Sequence, residues 1–133
     1  SDWSSDVCSS DLVDRLEEGR AERSVTRHPD GTVRVTNRID GALLRPHSTG
    51  VTFRASALDV ASIRDDDPAS AEATAERVVM LRFPDGPSVT VTGTLRLVAD
   101  AGTWHLSGRL RAERDGTSVA DRPFAIAIPR RIP

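Results

Sequence analysis

The chain has 133 residues and a formal charge of −2, with 38% hydrophobic and 29% charged residues. This length is typical of one domain, and so small a net charge creates no field that would attract nucleic acid or an anionic membrane surface. The longest run of aliphatic residues and Met, Val78-Val79-Met80-Leu81, is far shorter than the roughly 20 residues of a membrane-spanning helix. We therefore expect neither a nucleic-acid partner nor a membrane partner.

The first 12 residues, SDWSSDVCSSDL, differ from the rest of the chain. They lack the basic start and apolar middle of a signal peptide, and they show neither helical nor strand periodicity. Residues 2–12 can be reverse-translated as the DNA of a common short-read sequencing adapter. We interpret residues 1–12 as a translated adapter and therefore as a disordered artefact. Residues 13–133 are interpreted as a single β domain.

Leaving out this segment changes the composition. It removes three Asp residues, so 17 acids face 18 bases and the formal charge becomes +1. It also removes Cys8, the single cysteine, which excludes disulfides and thiolate chemistry. All 18 basic residues are Arg and the chain has no Tyr, which indicates GC-rich coding and a bacterial source. We expect a soluble protein and leave its compartment open, with the bacterial cytoplasm slightly favoured.

The first half of the chain gives mixed secondary-structure signals. Residues 13–23 fit either a frayed helical turn or an extended lead-in, and residues 41–63 fit irregular strands and loop. Between them, Pro29-Asp30-Gly31 predicts a hairpin that joins strands at 24–28 and 32–39. In the next segment, Asp67 is a favoured N-cap residue and Pro68 a favoured first helical residue. We therefore predict one helical turn at 67–71, followed by a long strand at 72–83.

The second half alternates with period two, which is typical of half-buried antiparallel strands. Gly93 interrupts the apolar face of the first of these strands and predicts a bulge or a close neighbour. In the last strand the apolar positions change parity, which predicts a bulge or an edge position near residues 121–123. The residues expected on the apolar faces are Val89, Val91, Leu95, Leu97, Trp104, Leu106, Leu110, Ala112, Val119, Phe124, Ile126 and Ile128.

These patterns predict a mainly β fold. We expect an antiparallel meander that forms part of a β-sandwich or jelly-roll-like domain, with at most one or two short helical turns. Trp104 should be a buried core residue beside Val91, Leu95 or Ile126.

The sequence contains no recognisable catalytic motif. It has no Gly-x-Ser-x-Gly nucleophile elbow, no phosphate-binding Gly-rich loop and no His-Glu-x-x-His helix motif. The three histidines, His28, His47 and His105, are widely spaced and match no metal-binding motif. We therefore predict no catalytic, cofactor-binding or metal-binding residue, and no cofactor.

Two charged clusters have alternative interpretations. Asp65-Asp66-Asp67 fits a solvated turn, although carboxylate oxygens also suit a hard cation, and we leave cation binding at this turn open. A group of arginines in the last third suggests phosphate binding, but acids are interleaved with it and favour a solvated strand face. The arginines are Arg109, Arg111, Arg114, Arg130 and Arg131, and the acids are Glu113, Asp115 and Asp121.

One stretch carries a family resemblance. The segment SIRDDDPASA at residues 62–71 resembles the C-terminal β region of the CocE/NonD hydrolases, which are related to cocaine esterase and the X-Pro dipeptidyl-peptidases. The resemblance continues along the chain to about residue 131 and is weaker over residues 13–61. It continues through Trp104-His105-Leu106, Glu113-Arg114-Asp115-Gly116, and Phe124 followed by Ile128-Pro129-Arg130-Arg131.

The resemblance implies that the parent protein is a serine hydrolase of ester or X-Pro amide bonds. Its catalytic residues would lie upstream, in an α/β-hydrolase domain of the same parent chain, and none is carried onto this sequence. Residues 13–133 would be a C-terminal, non-catalytic fragment that packs against that domain and helps to wall its substrate cleft. The alternative is a stand-alone β-sandwich or small barrel that binds an apolar ligand or a protein partner.

Overall fold

The computed structural model of the chain describes residues 12–131, and every regular element in this part of the chain is a β-strand. The strands are β1 (Val13–Glu17), β2 (Arg20–Arg27), β3 (Thr32–Asp40), β4 (Leu43–Pro46), β5 (Thr52–Arg64), β6 (Asp67–Arg82), β7 (Ser88–Ala99), β8 (Thr103–Arg114) and β9 (Thr117–Pro129).

All nine strands belong to one antiparallel sheet. Strands β5 to β9 form a meander in which each strand pairs with the next. On the other side of β5, its two halves pair with different strands: β3 pairs along residues 56–64, and β4 pairs at Phe53. Strand β2 then extends the sheet beyond β3, and β1 extends it beyond β4. The predicted antiparallel meander is therefore confirmed.

The predicted helical turn at 67–71 is wrong, because β6 begins at Asp67 directly after a two-residue turn. Asp67 still satisfies local backbone donors, since its Oδ1 accepts from Ala69 N at 3.0 Å. Ser70 Oγ donates to the Asp67 carbonyl at 2.6 Å and accepts from Arg64 N at 2.8 Å. These bonds close a β-hairpin, in which pairing with β5 overrides the local helical preference. The predicted long strand thus begins earlier, at Asp67, and ends at Arg82.

The first half of the chain is more regular than its sequence pattern indicates. The hairpin across Pro29-Asp30-Gly31 is confirmed as β2 and β3. Residues 13–23 are extended rather than helical, and residues 41–63 contain β4 and all but the last residue of the 13-residue strand β5. The hydrophobic alternation of β5 is weak, because half of the positions on one face are alanines (Ala55, Ala57 and Ala61) while Leu58 and Val60 lie on the other face.

The bulge that causes the parity change in the last strand lies slightly before residues 121–123, where it is predicted. The register shifts between Ala112 and Glu113, which pair with Ala120 and Ser118, so Val119 is the extra residue of a bulge. Strand β9 also lies at the sheet edge, as the pattern predicts. At Gly93, by contrast, the ladders with β6 and β8 continue without a shift, and the residue faces Leu110 instead.

Two prolines limit further pairing at this edge. Arg130 N donates to Gly102 O at 2.9 Å. This bond shows that the even-numbered residues of β9 near it direct their backbone groups towards β8. Positions 123, 125, 127 and 129 therefore direct their backbone groups away from β8, and Pro123 and Pro129 occupy two of these positions. Because proline lacks an N–H donor, only Ala125 and Ala127 offer outward donors over this segment.

The described residues form a single layer, and no residue among 12–131 is buried. Trp104 lies on the predicted face but is only half-buried, so its expected place in a closed core is wrong. It pairs with Ile128 and Ala99, and the Arg130 guanidinium lies 4.9 Å from its ring centroid. A second layer, which a sandwich requires, is not provided by the described strands.

Gly108 permits close packing at the β8–β9 ladder. A Cβ atom at this position would lie 2.5 Å from Thr94 O and 2.6 Å from Phe124 Cζ. We expect Gly108→Ala to lower the free energy of unfolding by about 1–3 kcal/mol because the strand or the ring must move, measured as a lower urea midpoint. Gly102→Ala is the matched control, since its Cβ would meet nothing within 4 Å. Equal midpoints for the two variants would contradict the packing of Phe124 over Gly108.

Candidate functional site

One face of the sheet is apolar across nearly its whole width. Directly paired residues project from the same face of a sheet, so the strand registers assign each side chain to a face. We define the apolar face by the row that crosses the sheet from β2 to β9. The row consists of Val25, Val35, Ala61, Ala73, Leu97, Leu106 and Ile126.

Large hydrophobic side chains are exposed on this face. Ile126 is 52% exposed, Leu95 44% and Phe124 43%. The registers place six further exposed residues on the same face: Val25, Ile39, Ile63, Val79, Leu110 and Ile128. A continuous exposed apolar surface of this kind marks an interaction site.

The centre of the apolar face is a trough. Its floor is formed by the small side chains of Ala61 on β5 and of Ala71, Ala73 and Ala75 on β6, with Ile63 and Asp59 on either side of Ala61 along β5. Larger side chains line both sides: Val33 and Val35 on β3, and Leu97, Trp104 and Leu106 on β7 and β8. From β3 to β7 the trough spans three strand spacings, or roughly 14 Å.

A polar band crosses one end of the trough and consists of Arg23, Asn37, Asp59 and Arg77. Arg77 Nη1 donates to Asp59 Oδ1 at 2.7 Å, and Nη2 donates to Oδ2 at 3.2 Å. The hydrogen bonds from Arg77 lower the pKa of Asp59, and the same bonds raise the pKa of Arg77. The band therefore contains a bidentate ion pair whose charges already neutralise each other.

The remaining charge on this face is positive. The registers place Arg23, Arg27, Arg114 and Arg122 here, beside the ion pair of Arg77 with Asp59. Among residues 12–131, no carboxylate lies within salt-bridge distance of these four arginines. Strands β2, β3 and β5–β9 thus present five arginines and a single acid, Asp59, on the apolar face.

The opposite face is polar and carries cross-strand ion pairs. Arg96 Nε donates to Glu72 Oε1 at 3.0 Å, and Arg109 Nε donates to Asp121 Oδ1 at 2.6 Å. The bonds from Arg109 lower the pKa of Asp121. The C-terminal arginines therefore do not form one cluster. Arg109 and Arg111 lie on this face, whereas Arg114 lies on the apolar face and Arg130 lies over Trp104.

The histidines and the aspartate turn lie apart from the trough floor. His47 Nε2 is 2.8 Å from Asp14 Oδ1, and His105 Nε2 is 2.8 Å from Asp100 Oδ2. Within residues 12–131, no group of three or more His, Cys, Asp or Glu is placed to hold a metal ion. In the turn at 65–67, the Arg64 guanidinium lies 3.5 Å from Asp66 and 3.3 Å from Asp67.

Residues 1–12, interpreted from the sequence as a translated adapter, fall almost entirely outside the described residues. Leu12, the last of them, does contact the fold, because His47 N donates to its carbonyl oxygen at 2.9 Å. The expectation of disorder for residues 1–11 lies outside the described residues.

The β7–β8 turn should make stability depend on pH through Asp100. The bond with His105 lowers the pKa of this carboxyl, and bonds from the backbone N–H groups of Gly102 and Thr103 add to the effect. A depressed folded-state pKa stabilises the fold above the unfolded value of 3.8 and loses this effect as pH falls through the folded value. We expect Asp100→Asn to lower the urea midpoint at neutral pH and to differ less from the unsubstituted chain in strong acid.

Asp85→Asn is the matched control for that prediction, because it changes another turn carboxylate for which no side-chain hydrogen bond occurs in the described part of the chain. Asp85→Asn should leave the difference between the urea midpoints at neutral pH and in strong acid unchanged. A constant effect of Asp100→Asn at both pH values would contradict the assigned role of the carboxylate.

Comparisons with models of known protein families, with curated proteins and with solved structures gave no match to this chain. Among the described residues, no helix is long and apolar enough to cross a membrane.

Proposed function

We propose that this chain is the non-catalytic C-terminal β domain of a serine hydrolase of the CocE/NonD type. The α/β-hydrolase domain of the same parent chain would hydrolyse ester or X-Pro amide bonds. The β domain would pack against that domain through the apolar face and help to wall the substrate cleft. The observation that supports this proposal is the uncovered apolar face of a sheet in which none of residues 12–131 is buried.

A sheet with one apolar face is stabilised when that face packs against a second layer. Here the two faces differ in the way that such packing requires. The apolar face carries Leu97, Leu106 and Ile126 in adjacent strands, whereas the opposite face pairs Arg96 with Glu72 and Arg109 with Asp121. The catalytic domain would supply the second layer, and the polar face would stay in water.

The proposed contribution of this domain is structural. Acyl transfer needs an activated nucleophile, an oriented base and donors for the oxyanion. His105 is paired with Asp100, but no serine hydroxyl of the described residues is hydrogen-bonded to that ring. The domain would therefore shape and dehydrate the cleft while the chemistry takes place in the catalytic domain.

The genomic sequence upstream of Val13 provides the direct test. We expect an open reading frame that continues in frame for a few hundred codons and encodes a Gly-x-Ser-x-Gly elbow. A start codon or a signal peptide directly before Val13 would contradict the proposal. The encoded catalytic domain, produced separately, should then bind residues 1–133 in solution.

The trough favours one second candidate. A stand-alone β module could use the alanine floor between Val35 and Leu97 to bind an apolar ligand or a protein partner. The same upstream sequence separates the two functions, because this candidate requires a start codon or a signal peptide close to Val13.

A further inference from the structure

We propose that the trough binds one amphipathic α-helix whose apolar stripe is bordered by acidic residues. This inference rests on the proposed function, because it takes the helix to be an element of the catalytic domain. Domains of the α/β class carry their helices on the outside, on both faces of a mostly parallel sheet. A helix is therefore the element that such a domain offers to a docking sheet.

The shape of the trough favours a helix over a second sheet. A helix with its side chains is about 10–12 Å wide, and the backbones of the two strands that carry the walls, β3 and β7, are roughly 14 Å apart. The floor of Ala61, Ala73 and Ala75 is low, whereas Val35 and Leu97 project on either side. A second sheet would cover the alanine floor only with large side chains that reach down between these walls. A convex helix fills the same space.

The length of the trough also suits a short helix. The floor runs along β6 from Ala71 to the polar band at Arg77. Six residues of strand cover roughly 20 Å, which corresponds to about 13 helical residues or between three and four turns.

The charges around the trough specify the polar residues of that helix. Arg23 and Arg27 border its β3 side, and Arg122 lies beyond the opposite wall on β9. None of the three has a carboxylate partner among residues 12–131, whereas Arg77 already has Asp59. Acidic residues beside the apolar stripe would neutralise these arginines as they lose water, and basic residues would be repelled.

The test uses residues 1–133 and two synthetic peptides of about 18 residues, long enough to cover the trough at 1.5 Å per residue. The first peptide carries Leu and Ala on one helical face and Glu on both flanks of that face. The second peptide has the same sequence with Lys in place of every Glu. We expect the Glu peptide to bind at least about tenfold more tightly in isothermal titration calorimetry, a difference of about 1.4 kcal/mol. Binding should shift the NMR signals of the floor alanines.

Two double variants locate the charge effect. Arg23→Glu with Arg27→Glu should remove most of the preference for the Glu peptide, because it leaves three arginines and three acids on the apolar face. Arg34→Glu with Arg38→Glu makes the same change in net charge on the opposite face, as the register with β5 shows, and should leave the preference intact. Circular dichroism checks that each variant keeps its β content. If a variant fails to fold, the comparison of the two peptides on the unsubstituted chain still tests the inference.

The inference would be overturned by equal affinity for the two peptides, or by the same response of both double variants. It would also be overturned if the chain bound phosphatidylglycerol vesicles or a second copy of itself through this face while neither peptide bound. A hydrolase reading frame upstream, without peptide binding, would contradict the helix inference and leave the proposed function standing. Selective peptide binding without such a reading frame would contradict the proposed function and leave a helix-binding trough standing.

Discussion

Purified residues 1–133 should hydrolyse neither p-nitrophenyl acetate nor Gly-Pro p-nitroanilide faster than buffer. The chain has no nucleophile elbow, and among its described residues the His105–Asp100 pair is exposed and lacks a serine partner. In a serine hydrolase, removal of the nucleophile lowers kcat by about six orders of magnitude, so a domain without one should be silent. Continuous absorbance assays of both chromogenic substrates measure this directly.

The matched positive control is the proposed catalytic domain, produced separately, which should hydrolyse at least one of the two substrates under the same conditions. Addition of residues 1–133 to it should alter KM more than kcat if this domain walls the cleft without supplying a catalytic group. Turnover by the isolated chain that a single Ser→Ala change abolished would refute the accessory-domain proposal.

The sequence predicts the second half of the fold well because its physical signals agree there. In β7 and β8, the alternation of apolar and polar residues and the Asp-Gly turn chemistry favour the same antiparallel strands, and the β-branched residues of β7 add to this preference. At residues 67–71 the local signals favour a helix, yet the Asp67 and Ser70 side chains make their hydrogen bonds within a hairpin. Pairing with β5 decides the outcome, and the pattern of a single strand does not contain that information.

The candidate site is only partly predictable for a related reason. Alternation identifies the apolar face, and Trp104 and Leu106 lie on it as expected. The trough depends on alanines of two neighbouring strands, Ala61 and Ala73, which pair directly across the ladder. Alanine contributes little to a hydrophobic pattern, so this juxtaposition follows from the register alone. The ion pair of Asp59 with Arg77 joins residues 18 positions apart, and the periodicity of the sequence does not predict it either.

If the proposed catalytic domain covers the apolar face, Ala73→Asp should weaken docking of residues 1–133 onto it by at least about 100-fold. Ala73 lies in the middle of the trough floor, between Ala61 and Leu97. A carboxylate there would be covered without a cationic partner, and an unpaired buried charge costs about 3–5 kcal/mol. At 1.4 kcal/mol for each tenfold change in Kd, this cost exceeds two orders of magnitude.

The control for Ala73→Asp is Thr74→Asp, one position along the same strand. Thr74 projects from the opposite face, where it pairs with Val60 and Arg96. Both variants add one negative charge and one weak strand former to the centre of β6, so their effects on the isolated sheet should be similar. Isothermal titration calorimetry should show nearly unchanged affinity for Thr74→Asp. Equal losses for both variants would mean that the effect comes from the sheet itself, and retained affinity in Ala73→Asp would show that the trough does not face the catalytic domain.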